Sequence, residues 1–124
     1  MIPSNRDDFM WMIGLLEGEG CFGIATSRGY SHVRIHVGMT DKDVVDRLKN
    51  ISGGWVLYCR SKEPKHKDQW RWEITCKQAR ELMETMLPFM GERRKERITE
   101  VLKIDNKNRS RGRLTKHRKQ EDVS

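Results

Sequence analysis

Two glutamates stand among three glycines where the first helical pattern of the chain ends, in the segment Gly14-Leu-Leu-Glu-Gly-Glu-Gly20. Glycine inside a helix costs about 1 kcal/mol relative to alanine, so two glycines four residues apart need an explanation. They leave a flat strip on which a second backbone can approach closely, which favours two copies of this helix packed together. Such packing would bring Glu19 close to its counterpart. The helix dipole disfavours an acid at that end, which argues against a merely solvated side chain.

The segments around these glycines predict a helix followed by two strands. Ser4 is a candidate N-cap, and apolar residues then repeat at helical spacing up to the glycines. Gly20 lets the chain turn directly into a strand over residues 21–27, and a second strand follows over residues 32–39. The second strand alternates apolar with polar residues, so one of its faces is apolar and the other is not. The residues on its polar face are His32, Arg34 and His36.

The remainder of the chain predicts three more helices and two more strands. In chain order these are a helix from Thr40 or Asp41 to Ser52, strands over 55–60 and 69–75, and helices over 77–87 and 92–104. The order α-β-β-α-β-β-α-α predicts an α+β fold, in which two hairpins form a four-stranded antiparallel sheet with helices on one face. The other face stays open. An open, twisted sheet that carries Arg34, Arg71 and two histidines has the dimensions to lie in a nucleic-acid groove.

Charge and length favour one domain with a polyanionic partner. The 124 residues suffice for a single hydrophobic core, and the formal net charge is +7. Residues 105–124 hold seven Lys/Arg against three Asp/Glu, which accounts for +4 of that +7. We therefore expect a folded domain over residues 1–104 and a flexible basic tail over residues 105–124.

Cysteine usage and hydropathy indicate an intracellular, cytoplasmic protein. The three cysteines have neither paired nor metal-ligand spacing, which predicts buried or half-buried free thiols in a reducing compartment. No apolar run reaches the length of a membrane span, and no charged leader with an apolar core begins the sequence. We expect no signal peptide and no membrane partner.

Residues 11–22, Trp-Met-Ile-Gly-Leu-Leu-Glu-Gly-Glu-Gly-Cys-Phe, resemble the signature of the LAGLIDADG homing endonucleases, with glutamates where the family name has aspartates. The segment MTDKDVVDRL (39–48) resembles the start of that family's second helix, and LPFMGERRKERI (87–98) resembles its basic C-terminal segment. The resemblance covers about residues 4 to 104 and is strongest to the short forms that bacteriophages carry. It implies the αββαββα LAGLIDADG fold, here with one further helix.

The single motif implies a homodimer, because family members with one motif pair with themselves while members with two act as monomers. The implied function is a homing-type endonuclease that cuts both strands of a long, near-palindromic DNA site by metal-assisted phosphodiester hydrolysis. The resemblance assigns the dimer interface to Trp11, Gly14, Leu15, Glu17 and Gly18.

The resemblance also assigns catalytic residues. Glu19 and the carbonyl of Gly18 would hold Mg²⁺, with scissile phosphates and waters as the other ligands. Asp41 either organises waters in the active site or is an ordinary N-cap of the second helix. The basic residue at the scissile phosphate is assigned to Arg93, with Arg94 and Lys95 as alternatives.

Side chains of the second and fourth strands are expected to contact bases, because arginine can bind guanine, and glutamine adenine, through two hydrogen bonds. The expected base contacts are His32, Arg34, His36, Gln69 and Arg71. The other expected DNA contacts, most of them in or near loops, are Arg28, Arg60, Lys62, Arg94 and Lys95. The two histidines cannot share a metal ion, because four residues along a strand separate them by about 13 Å.

Three other functions stay open at this point. The same fold can serve as a non-cleaving DNA-binding or regulatory module, or as an RNA-binding splicing cofactor of the maturase type. A structural dimer whose basic tail binds any polyanion is the third. The setting that the resemblance implies is an intron or a phage mobile element in a bacterial host.

Overall fold

The computed structural model describes residues 5–123, apart from the side chains of Ser27 and of residues 111–123. The helices are α1 (Arg6–Glu19), α2 (Lys42–Ser52), α3 (Cys76–Met86) and α4 (Glu92–Val123), with a 3₁₀ turn at Leu87–Phe89. The strands are β1 (Cys21–Ser27), β2 (Tyr30–Met39), β3 (Trp55–Cys59) and β4 (Gln69–Thr75). This order confirms the predicted α+β arrangement. Within the described residues, no helix is long and apolar enough to cross a membrane.

The four strands form one antiparallel sheet in the order β1-β2-β4-β3. Arg28 and Gly29 connect β1 to β2 with positive φ at both positions, 52° and 82°. This is the backbone of a two-residue hairpin turn whose twist matches the strands, and it lets β2 begin at Tyr30, two residues earlier than predicted. The register places Cys21 beside His36. The start of β1 and the end of β2 therefore lie at the same end of the sheet.

The helices cover one face of the sheet and enclose a single core. Trp72, on β4, is fully buried, and its indole N–H donates to the carbonyl of Gly53 at 2.9 Å. Gly54 has φ of 82°, and a Cβ there would lie 2.4 Å from the carbonyl oxygen of Glu73, so only glycine allows this approach. The core also contains Met12, Leu16, Val33, Ile35, Ile74, Leu82, Met83, Ile98 and Val101.

Two local predictions were wrong. The N-cap of α1 is Asn5, whose side chain accepts from the backbone N–H groups of Asp7 and Asp8, whereas Ser4 lies outside the described residues. The three cysteines are exposed free thiols, not buried ones. Cys21 and Cys59 lie at strand ends and face the bare side of the sheet, because successive side chains of a strand point to opposite faces and only the other face is covered by helices.

The last helix extends beyond its predicted end at residue 104, and the reason is visible at Asp105. This carboxylate is only 5% exposed and lies 2.5 Å from Nε of Arg80 on α3 and 3.2 Å from Nε of Arg109 one turn along α4. Apolar periodicity does not reveal such an ion pair, so the end of the helix predicted from the sequence was too early. The flexibility expected of residues 105–124 stays a prediction.

Candidate functional site

Glu19 is the last residue of α1, and it is exposed at the point where the chain leaves the helix for β1. The next residue, Gly20, donates its N–H to the carbonyl of Leu16 at 3.0 Å. A Cβ at Gly20 would lie 2.6 Å from that same carbonyl oxygen. Only glycine therefore permits this direct exit from the helix, and the exit fixes the backbone from which the Glu19 side chain projects.

Glu17, two residues earlier, is held within the chain. Its Oε2 accepts from the backbone N–H of Gly91 at 3.2 Å, just before α4 begins. Its own carbonyl accepts from Nε of Arg94 at 3.0 Å. A carboxylate at the start of a helix is stabilised by the helix dipole. The two glutamates of the motif thus differ: Glu17 ties the end of α1 to the start of α4, and Glu19 has no such partner among the described residues.

The basic residues at the start of α4 also differ from one another. Arg94 is half-buried, bonded to Glu17 and positioned 5.9 Å from the centre of the Phe22 ring. Arg93 and Lys95, on either side of it, are exposed. Of the three candidates for a phosphate contact, Arg94 is therefore the one already committed to an intramolecular bond.

Asp41 stands at the N-cap position of α2, where its carbonyl accepts from the N–H of Val44 at 3.2 Å. Its exposed side chain makes no capping hydrogen bond. The strand register places the end of β2 beside the start of β1, so Asp41 and Glu19 share one end of the sheet. The carboxylate of Asp41 is thus available for another role there.

The oxygen donors at this end of the sheet suit a hard cation. Glu19 offers a carboxylate, and Gly18 offers a backbone carbonyl. This carbonyl is one of the last four of α1, which have no N–H donor within the helix. Magnesium commonly binds one or two protein carboxylates and keeps several waters. The described residues contain no group of three or more His, Cys, Asp or Glu able to hold a metal.

The outward surface of α1 is a strip without side chains. Gly14 and Gly18 are exposed, and a Cβ at either position would meet nothing within 4 Å. Beside them, the guanidinium of Arg47 lies 4.0 Å from the centre of the Trp11 ring, and Met10 is 42% exposed. No close approach inside the described chain therefore explains why these two positions are glycine.

The bare side of the sheet, called the open face below, carries residues from all four strands. Cross-strand pairing puts His36 beside Glu73 and Glu73 beside Trp55, and it puts Arg71 beside Leu57. These alternating positions define the open face as Cys21, His32, Arg34, His36, Trp55, Leu57, Cys59, Gln69, Arg71 and Glu73. All five predicted base contacts lie on it.

Sequence reasoning missed several residues of the open face, of which Glu73 is the charged one. Its Oε1 lies 3.4 Å from Arg34 and 3.7 Å from Arg71. The alternation of β4 already placed Glu73 on the same side as Arg71, so the signal was present but no role was assigned to it. Trp55 and Leu57, 39% and 45% exposed, were missed because β3 is short and its alternation is weak.

The electrostatics of the open face keep His36 uncharged near neutral pH. Burial lowers the pKa of His36 below its ordinary value, and the cations of Arg71 and Arg34 lower it further, while Glu73 acts in the opposite direction. A neutral imidazole can donate at one nitrogen and accept at the other. His36 is therefore equipped for hydrogen bonding, and the arginines supply the positive charge.

The loop between β3 and β4 presents cations at the Asp41 end of the sheet. Arg60 and Lys62 are exposed there. Asp68 holds the loop by accepting from the hydroxyl of Tyr58 and from the N–H of Ser61, the latter at 2.7 Å. The Tyr58 bond, followed by the Ser61 bond, lowers the pKa of Asp68. Arg28 lies at the opposite end, in the β1–β2 turn.

No protein-family sequence model matches the chain, and no curated protein gives a significant match. Among solved structures, the homing endonuclease I-CvuI in complex with its target, with 2 mM Ca present, matches with a TM-score of 0.63 and 20% identity over 84% of this chain and 71% of I-CvuI. The archaeal intron-encoded homing endonuclease I-Vdi141I, complexed with DNA, matches with a TM-score of 0.64 and 14% identity over 82% of this chain and 69% of that one.

A third structure contains I-CvuI with the I-CreI target in 2 mM Mg, in which the DNA is not cleaved; it matches with a TM-score of 0.60 and 20% identity over 81% of this chain and 68% of I-CvuI. The chain therefore has the fold of the homing endonucleases. The LAGLIDADG-like segment of residues 11–22 predicted that fold, and the prediction is confirmed.

The different partners of the two motif glutamates predict different effects on stability. Glu17→Ala removes the acceptor of the Gly91 N–H and a favourable charge at the start of α4, so the free energy of unfolding should fall by about 1 kcal/mol. Glu19→Ala is the matched control two residues away. It removes an acid from the unfavourable end of the α1 dipole, so stability should stay the same or rise slightly. Urea denaturation of the three proteins measures this, and equal losses for both variants would contradict the assignment.

Proposed function

We propose that the chain is a divalent-cation-dependent, site-specific endonuclease that binds double-stranded DNA as a homodimer. The observation that carries the proposal is the separation of roles at the end of α1. Glu17 bonds the backbone before α4 and so holds the end of α1. Glu19 is exposed at one end of the sheet, and the open face of that sheet carries Arg34 and Arg71. Binding of a cation beside a DNA phosphate would explain an exposed carboxylate at the end of α1.

The open face supports DNA as the partner. I-CvuI and I-Vdi141I, which share the fold, were solved in complex with a DNA target and with DNA. Arginine, histidine and glutamine side chains on the open face provide donors and acceptors of the kind that read base edges in a major groove. Arg28, Arg60 and Lys62, in loops at the two ends of the sheet, are suited to phosphates. The seven Lys/Arg after residue 104 add sequence-independent attraction.

The glycine strip supports self-association. Gly14 and Gly18 leave room on α1 that nothing in the described chain fills, and a second α1 helix has the complementary shape. A two-fold pairing through this strip would present two open faces to a near-palindromic site. It would also bring the two α1 C-termini together, with a Glu19 from each chain.

Four groups would then act at each phosphate. Glu19 and the Gly18 carbonyl would hold Mg²⁺, which when bound lowers the pKa of water and stabilises negative charge on phosphate oxygens. Asp41 would order water through its uncapped carboxylate. Arg93, exposed in the first turn of α4, would neutralise the phosphate, while Arg94 holds the carbonyl of Glu17 and so the position of its neighbour Gly18.

Gly14→Leu should abolish the dimer without unfolding the chain, because a side chain at this position contacts nothing in the described structure of one chain. The expected result is a folded monomer by light scattering, with unchanged far-ultraviolet circular dichroism. Glu84→Leu, which adds an equally large apolar side chain at an exposed site on α3, is the control and should stay dimeric. A dimeric Gly14→Leu protein would contradict the interface assignment.

Glu19→Gln should separate binding from cutting. The amide keeps the size of the side chain but loses the charge that holds the cation, so cleavage should fall by orders of magnitude, since metal assistance contributes several kcal/mol. DNA affinity should stay the same or rise, because a carboxylate near phosphate is removed. The measurement is single-turnover cleavage in Mg²⁺ of a duplex selected from a randomised library, with binding measured in Ca²⁺. Glu17→Gln is the control and should affect the chemical step less.

Three results would contradict the proposal, the third of them in a parallel binding measurement with a structured RNA. Undiminished cutting by Glu19→Gln would remove Glu19 from the metal site. A duplex that is bound selectively but not cut by the unaltered protein would favour the regulatory module. Preference for a structured RNA over every duplex would favour the splicing cofactor.

A further inference from the structure

A single acidic side chain interrupts the cationic open face, and its position is central. Glu73 lies directly across from His36 on β2 and from Trp55 on β3, so both flanking strands surround it. Its carboxylate oxygen Oε1 contacts the guanidinium groups of Arg34 and Arg71 at 3.4 and 3.7 Å. One carboxylate is thus shared by the two arginines that the proposed function uses to read DNA.

A glutamate in this position weakens DNA binding, since it repels phosphate and neutralises part of the positive charge. Its contribution to folding is small, because ion pairs of partly exposed side chains add little to stability. Neither effect explains why an acid lies between these arginines. An explanation must therefore come from what the acid does to the arginines themselves.

We propose that Glu73 is a positioning residue that determines DNA sequence specificity by holding Arg34 and Arg71 in fixed orientations on the open face. The inference rests on the proposed function, because it presupposes that this face binds DNA. An arginine without a carboxylate partner turns readily toward any phosphate. An arginine that is paired with a carboxylate keeps its planar guanidinium group in one orientation. Specificity gains when contacts to the wrong partner are penalised, and a carboxylate penalises contacts to phosphate.

The exposures of the three side chains fit this role. Glu73 is 13% exposed, whereas Arg34 and Arg71 are each 32% exposed. A ligand on the open face therefore reaches the arginines more readily than the acid. Each guanidinium has five N–H donors, and one carboxylate oxygen cannot occupy them all. The remaining donors are available to base edges, and Glu73 acts through the arginines.

His36 reports whether the cluster exists in solution. Its pKa responds to Arg71, Arg34 and Glu73, and its other polar neighbours on the open face are His32 on the same strand and Cys21 across from it on β1. Glu73 is the only one of the three charged groups that raises the pKa of His36. Glu73→Gln should lower that pKa further, as measured by NMR titration of the imidazole.

The test compares DNA selectivity of Glu73→Gln with that of the unaltered protein. Affinities are measured in Ca²⁺ for a duplex selected from a randomised library and for a duplex of random sequence. We expect the variant to bind the random duplex more tightly and the selected duplex no better, so the ratio of the two affinities falls about tenfold, as for the loss of one base contact. The plot of log K against log salt for the random duplex should become steeper, by about the amount that one added phosphate contact contributes.

Two further variants make the result specific. Glu100→Gln removes the same charge from α4, where Glu100 lies 3.5 Å from Arg97, and it should leave the affinity ratio unchanged. Glu73→Asp keeps the charge and should retain more selectivity than Glu73→Gln. If the unaltered protein selects a sequence and Glu73→Gln keeps the same ratio, the inference is wrong and the proposed function stands. If the unaltered protein selects no duplex, both are overturned.

Discussion

The rest of the structure depends on how α1 ends. Gly20 allows the chain to leave the helix within one residue. Its N–H bonds the Leu16 carbonyl, and a Cβ at this position would lie only 2.6 Å from that carbonyl oxygen. Glu17 bonds the backbone before α4, and Arg94 bonds the carbonyl of Glu17 in return. These contacts join the first helix, the first strand and the last helix at one point. The Gly18 carbonyl and the backbone of Glu19 lie beside that point, so backbone geometry sets the place from which the Glu19 side chain projects.

A second constraint acts on the open face, where two arginines lie beside one carboxylate. Arg34 and Arg71 share the carboxylate of Glu73, and burial together with both arginines keeps His36 neutral. The face therefore combines fixed cations with hydrogen-bonding groups. The apolar side chains of Trp55 and Leu57 lie next to them on β3. Such a mixture is better suited to reading base edges than to attracting any polyanion.

Sequence reasoning succeeded where a local pattern has one structural meaning. Period-two alternation located β1 and β4 at their observed bounds. The packing of two helices through Gly14 and Gly18 stays a prediction, and both glycines are exposed. Sequence reasoning failed where the decisive contact joins distant residues. The Asp105–Arg80 pair links α4 to α3, and the Glu17–Gly91 bond spans 74 positions. The resemblance assigned Glu17 to a dimer interface and Glu19 to a cation, but no pattern along the chain could show that Glu17 bonds Gly91, because that contact depends on what lies opposite Glu17 in the fold.

The central claim is that each chain of a dimer contributes its own Glu19 to the cutting of one DNA strand. The most direct measurement uses mixed dimers of unaltered and Glu19→Gln chains, isolated with two different affinity tags and reacted with a selected duplex in Mg²⁺ under single-turnover conditions. The account predicts a product nicked in one strand, with the second strand cut more slowly by orders of magnitude. Cutting of both strands at the rate of the unaltered dimer would contradict it.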